Sequence, residues 1–120
     1  MNEKQKLGSY GEKIASSFLE KENHKIIYRN FRCYRGEIDI IAYDMKTKEL
    51  VFVEVKTRRN FNYGIPAESV TKKKLNHIRK TIEYYLYKNE IENVFIRVDI
   101  IEIVFAKKSY KLNHLKKVLE

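Results

Sequence analysis

Two carboxylates and one amine stand at spacings that can assemble a cation site. Asp39 lies within Gly36-Glu37-Ile38-Asp39-Ile40-Ile41-Ala42, where charged and branched apolar residues alternate. Glu54 and Lys56 lie within Leu50-Val51-Phe52-Val53-Glu54-Val55-Lys56-Thr57-Arg58, where the alternation resumes after Asp44-Met45-Lys46-Thr47-Lys48 interrupts it. Folded on each other with residues 45–48 as the loop, the two runs pair position i with position 93 − i. Asp39 then faces Glu54, and Ile41 faces Phe52, while Ile38, Ile40 and Ala42 meet Val55, Val53 and Val51 on the other face. A slip of one residue would set apolar side chains against charged ones on both faces, so the pattern selects this register. Carboxylates about 5 Å apart repel by roughly 3 kcal/mol at an effective dielectric near 20, and a bound cation turns that repulsion into attraction. Lys56, two residues past Glu54, projects from the same face about 7 Å further along. Carboxylate oxygens with no thiolate or paired histidine beside them suit Mg2+ or Mn2+ better than Zn2+.

A plainer arrangement uses the same residues. Glu54 and Lys56, set against Glu37 and Asp39, would form cross-strand ion pairs on a solvated sheet, each worth at most ~1 kcal/mol. Ile41, Tyr43, Leu50 and Phe52 share that face, however, so it is not simply turned to water.

The elements that must position these groups follow from periodicity. Residues 4–22 read as a helix whose buried stripe is Leu7, Gly11, Ile14, Ala15, Phe18 and Leu19. Gly8 and Gly11 lower helix propensity there, which suggests that another backbone passes close by. Residues 25–31 form a short strand, joined through residues 32–35 to the hairpin. Residues 60–66, with two aromatics, a glycine and the only proline, read as a loop. A second helix starts near Ser69, which can cap it, and runs to about Lys88 with Leu75, Ile78, Ile82, Tyr85 and Leu86 facing inward. Residues 94–105 alternate again as a long strand. The tail, with Leu112, Leu115 and Leu119 among lysines, is open to a short helix or a further strand. The expected order is helix, three strands, helix, strand: an α/β domain with a mixed central sheet flanked by helices. Residues 1–120 form one domain, with a core from about 7 to 105 and a basic tail from 106 to 120 packed on it or extending it.

Composition narrows the function classes. A 120-residue chain with 43% hydrophobic and 34% charged residues describes a globular domain able to bury a substantial core. Its longest apolar stretch, 94–106, is broken by Arg97, Asp99 and Glu102, which argues against a membrane span. The first residues lack the apolar core of a secretory signal, and a single cysteine, Cys33, excludes an internal disulfide; a cytoplasmic location is expected. A net charge of +9 calls for a polyanionic partner, unless the lysines merely coat solvated faces. Arg58-Arg59, Lys72-Lys73-Lys74 and Arg79-Lys80 all follow the carboxylate hairpin. Carboxylates clustered within a basic chain fit a metal-and-phosphate site.

The element order with Asp39 and Glu54-Val55-Lys56 resembles the PD-(D/E)XK nuclease superfamily. Longer strings are more specific. Gly11-Glu12 with Ala15 and Leu19, Asn30, residues 36–42, residues 52–58, Gly64 with Pro66, and Arg97-Val98-Asp99 closely resemble the bacterial YraN family, over roughly residues 7–105. That family has no settled activity, and its members are regarded as predicted endonucleases similar to Holliday-junction resolvases. The resemblance implies a restriction-endonuclease-like αβββαβ core. It implies Asp39 and Glu54 as metal-binding acids, helped by the Val55 carbonyl, Lys56 as the catalytic lysine and Glu12 as an additional catalytic acid on the first helix. The eponymous proline is replaced by Ile38. Glu12 falls roughly 110° around the helix from the centre of the apolar stripe, so it sits at the edge of the buried face. Glu37 shares the face of Asp39 nearer the strand start and is expected either to support the metal-binding acids from behind or to form an ion pair.

The function implied is metal-dependent hydrolysis of DNA phosphodiesters, with Mg2+ or Mn2+ and with branched or structured DNA among the substrates. Arg58, Lys72, Lys73 and Lys74 are the expected phosphate contacts. Cutting a branch needs two scissions and therefore suits a two-fold homodimer. The alternative is a nucleic-acid-binding module that keeps the nuclease fold without cleaving on its own; an RNA partner would also satisfy the basic face. His24, His77 and His114 share no ligand spacing and are expected on the surface or in packing. Cys33 reads as a filler, and Tyr84, Tyr85 and Tyr87 as core or interface more than as base-stacking residues.

Overall fold

The computed structural model describes residues 2–59 and 71–119. The expected loop at 60–66 and the expected cap at Ser69 lie outside them. Helix α1 (Glu3–Lys21) opens with a capping box in which the Asn2 side chain accepts from Gln5 N–H and the Gln5 side chain accepts from Asn2 N–H. Strands β1 (His24–Cys33), β2 (Gly36–Asp44) and β3 (Glu49–Arg58) follow. Helix α2 (Lys72–Lys88) begins with Thr71 as its cap, the Thr71 hydroxyl accepting from Lys74 N–H. Strand β4 (Phe95–Phe105) and strand β5 (Tyr110–Leu119) end the chain. The tail is thus a strand, and it lengthens the sheet.

Chain order and spatial order coincide, β1-β2-β3-β4-β5. All neighbours are antiparallel except β3 and β4, which are parallel and joined through α2. A parallel pair cannot be closed by a tight turn, so a crossover helix is required at that point. The β2–β3 hairpin has the register selected by the sequence pattern: Asp44–Glu49, Tyr43–Leu50, Ala42–Val51, Ile41–Phe52 and Ile40–Val53. Asp44 closes it, its Oδ1 accepting from Lys46 and Thr47 N–H while Lys48 takes a left-handed φ of 61°.

The sheet carries a helix on each side. Ala15 and Leu19 of α1 pack on Ile40, Ala42, Val51, Val53, Ile101 and Ile103. On the other face, Ile78, Ile82 and Tyr85 of α2 pack on Ile38, Ile41, Leu50, Phe52 and Val98. Alternating side chains on β2 and β3 thereby feed two separate cores, as period two demands. A Cβ on Gly11 would collide with the Thr57 methyl, so this glycine lets α1 settle directly on β3. The close neighbour is a side chain rather than the backbone the sequence suggested, and Gly8 has open space around it.

Candidate metal centre at the parting of β2 and β3

Alternation along β2 breaks at Asp39. Ile38 packs on the α2 face, whereas Ile40 and Ala42, of the same parity, pack on the α1 face. This corrects the expectation that Ile38, Ile40 and Ala42 share a face. The cause lies next door in β1, where Asn30 takes a left-handed φ of 57° between the pairs Arg29–Ile40 and Phe31–Ile38. Asparagine tolerates that conformation better than other side-chain-bearing residues. Phe31, like Ile38, then falls on the α2 face. At the turnover the β2–β3 ladder has ended, and Asp39 Oδ2 accepts from the Val55 N–H at 2.7 Å. The Asp39 carboxylate therefore reaches into the space between the strands.

Glu54 stands on the β3 side of this notch, 6% exposed. Its Oε1 pairs with Lys56 Nζ at 3.5 Å and with Lys74 Nζ of α2 at 3.2 Å. Its Oε2 is buried and has no hydrogen-bond partner among the described residues. A buried carboxylate oxygen without a donor is costly, on the order of 1–3 kcal/mol or more. Asp39 responds to the same crowding. Burial first, then the charge of Glu54, push its pKa from 3.8 up to about 7, against the pull of the Val55 N–H.

Glu12 completes the acidic group from α1. Its charge adds to the upward push on Asp39, and its own pKa is raised by burial, opposed by a hydrogen bond with the Asn30 side chain. Asn30 thus both turns the β1 backbone over and steadies Glu12. Periodicity cannot reveal such a role, although an asparagine inside a strand pattern is itself an irregular signal.

These groups suit a hard divalent ion in part. Among the described residues, no three His, Cys, Asp or Glu side chains converge closely enough to form a complete cage. Mg2+ is commonly held by one or two carboxylates, with water and substrate phosphate supplying the remaining oxygens. A crowded carboxylate pair with an unpartnered buried oxygen matches that donor set, while Lys56 and Lys74 place positive charge on the other Glu54 oxygen.

The remaining candidates fall in several places. Lys74 reaches Glu54, while Lys72 and Lys73 are exposed at the start of α2, and Arg58 is half-buried at the end of β3. Glu37 pairs with Arg32 at 3.4 Å on the exposed rim. Cys33 is half-buried against the α2-side core, Tyr85 lies in that core and Tyr87 is exposed. His24 is buried, and His114 is half-buried with its ring edge-on to Phe18 at 5.6 Å, so both pack as expected, but their ring nitrogens also have polar partners. Both join a buried polar network around Arg97 at the far end of the sheet. Arg97 bonds Asp44 at 3.0 Å, Glu49 at 2.9 Å and Asp99 at 3.0 Å, and its Nη2 lies 3.1 Å from His24 Nε2. His114 Nε2 lies 2.7 Å from Asp99 Oδ2. The available signal was the charged residues Arg97 and Asp99 inside a largely apolar strand that also carries Glu102.

Comparison with known proteins follows the same outline. A UPF0102 protein of Clostridium novyi (strain NT) is 44% identical over 112 residues, covering 92% of each chain. One from Caldicellulosiruptor bescii is 45% identical over 119 residues, 97% of this chain and 98% of its own. The structure of Pyrococcus furiosus SfsA in complex with Ca2+ aligns with 98% of this chain and 65% of that one, at 16% identity and a TM-score of 0.35. No helix among the described residues is long and apolar enough to cross a membrane. A profile of uncharacterised protein family UPF0102 matches residues 11–103, and with relatives this similar over nearly their whole length, the chain belongs to that family, the YraN family.

Proposed function

We propose that this protein is a metal-dependent endonuclease that hydrolyses DNA phosphodiesters, with branched or structured DNA among its substrates. The observation that carries the reading is the pair Asp39 and Glu54, held together against their own repulsion, with Glu54 Oε2 buried and lacking a donor among the described residues. Folding does not by itself favour such a pair, and binding a cation does. Asp39, Glu54 and the Val55 carbonyl would hold Mg2+ or Mn2+, which supplies an acidified water and neutralises charge building on the phosphoryl oxygens.

The chain's own groups supply the rest. Lys56, paired with Glu54 Oε1, would orient the attacking water or donate to a phosphate oxygen. Glu12, whose proton affinity burial raises, accepts from solvent at the edge of the notch. Lys72, Lys73, Lys74 and Arg58 line the approach and hold flanking phosphates.

A second reading is a nucleic-acid-binding module without cleavage of its own. It is favoured by the two ammonium groups within 3.5 Å of Glu54 Oε1, which already neutralise that carboxylate. Incubation of purified protein with linear, single-stranded and branched DNA separates the two. Cleavage should require Mg2+ or Mn2+, stop with chelator, and fall by about 10²-fold or more in Asp39→Asn and Lys56→Ala. If no substrate is cut with either metal, the nuclease reading fails and salt-sensitive binding by the metal-site variants supports the module.

A further inference from the structure

We propose that the surface between α1 and β5 is a separate binding groove for single-stranded nucleic acid. Two adjoining hollows of about 440 and 520 Å³ share Tyr10 and Tyr110 as their common wall. Lys13 and Lys21 of α1 line one hollow; Lys107 and Lys108 of the β4–β5 turn line the other. All four lysines are exposed, and neither hollow has an acidic residue in its lining among the described residues.

The rings are arranged as a platform. Tyr10 stacks on Phe105 with centroids 5.6 Å apart and planes 20° apart, and Phe105 meets Tyr110 at 5.9 Å. Phe105 is buried beneath them, whereas Tyr10 is 56% and Tyr110 48% exposed. Rings anchored on a core phenylalanine keep their position while leaving surface open, the condition for stacking a base without ordering cost. Amines flanking exposed aromatics recognise a polyanion that carries flat rings, which is the chemistry of an unpaired strand. A paired duplex hides its ring faces and would meet only the lysines.

The groove is distinct from the carboxylate notch yet lies at the same end of the sheet. Phe105 is three positions past Glu102, the β4 partner of Lys56, about 10 Å along the strand. Gly11, seated against Thr57 of β3, separates Tyr10 on the groove side from Glu12 on the notch side. Phe105 packs on the α1 face of the sheet, whereas Glu54 pairs with Lys74 of α2 on the other face, so the groove is a site apart from the notch. The inference rests on the proposed function only for the kind of partner, since it needs neither metal nor cleavage.

The test is fluorescence anisotropy with labelled oligothymidylate in the presence of chelator. Wild type should bind the single strand more tightly than a duplex of equal length, with affinity falling as salt rises. Tyr10→Ala with Tyr110→Ala should weaken binding about tenfold or more. Lys107→Ser with Lys108→Ser, in an exposed turn, should weaken it and flatten the salt dependence; melting by circular dichroism checks that each variant is folded. Photo-crosslinking with 5-iodouridine should label Tyr10 or Tyr110. Preference for duplex, crosslinks confined to other residues, or folded variants that bind as wild type would each overturn the groove. Cleavage assays with Mn2+ are scored separately: absent cleavage with intact groove binding fails the nuclease reading alone, and cleavage with unaffected groove variants fails this one alone.

Discussion

Replacing Asp39 by asparagine should stabilise this protein, and by an amount that grows with pH. The Asp39 carboxyl has its pKa pushed from 3.8 up to about 7, by burial first and then by Glu54. Its raised folded value means that the folded protein keeps a proton the unfolded chain has already released. The stability that Asp39 contributes is then fully present below the unfolded value near 4 and is lost as pH climbs to about 7. A shift of about 3 units corresponds to roughly 4 kcal/mol at ~1.36 kcal/mol per unit. That is an upper bound, because Lys56 and Lys74 lie on Glu54 and can shift toward a second negative charge. Asparagine keeps an oxygen to accept the Val55 N–H and never ionises. The gain of Asp39→Asn should thus be near zero at pH 4 and about 2–4 kcal/mol above pH 7. Urea denaturation of both proteins in chelator, from pH 4 to 8, measures it. Adding Mn2+ at pH 7.5 should close the gap by stabilising only the wild type. A difference that stays flat across this range, or a variant less stable at pH 8, would refute the electrostatic crowding on which the proposed metal site depends.

The buried network makes a different kind of demand. Arg97→Leu should cost about 3–5 kcal/mol in denaturant unfolding, because it leaves Asp44 and Asp99 buried without their partner. Burial pushes the Asp99 carboxyl up, but bonds from His114 and Arg97 outweigh it and hold the pKa below the ordinary value. Stability from Asp99 is therefore present above about pH 4 and lost as pH falls below it, so thermal melts of Asp99→Asn should converge on wild type in acid. Gly11→Val should cost about 1–3 kcal/mol by driving α1 off Thr57, seen as a lower melting temperature, and should reduce cleavage by carrying Glu12 with it.

Local pattern was enough for much of the architecture. Period-two runs set the β2–β3 register down to the pair Ile40–Val53, and helical stripes located α1 and α2, because each rests on the side-chain direction of a single element. The placement of Asp39 on β2 and of Glu54 and Lys56 on β3 was legible for the same reason, through residue types and spacing along strands. What the linear pattern could not hold was the reversal at Asp39. That reversal depends on the left-handed Asn30 in the neighbouring strand, and it turns an expected facing carboxylate into one that bonds Val55 N–H. The Arg97 network likewise joins His24, Asp44, Asp99 and His114 from four strands, and the tail became β5 only because β4 had a free edge beside it. Residue order specifies what each strand can present; which groups meet is decided by which edges pair and where a strand turns over, since contacts across strands carry no periodic signature along the chain.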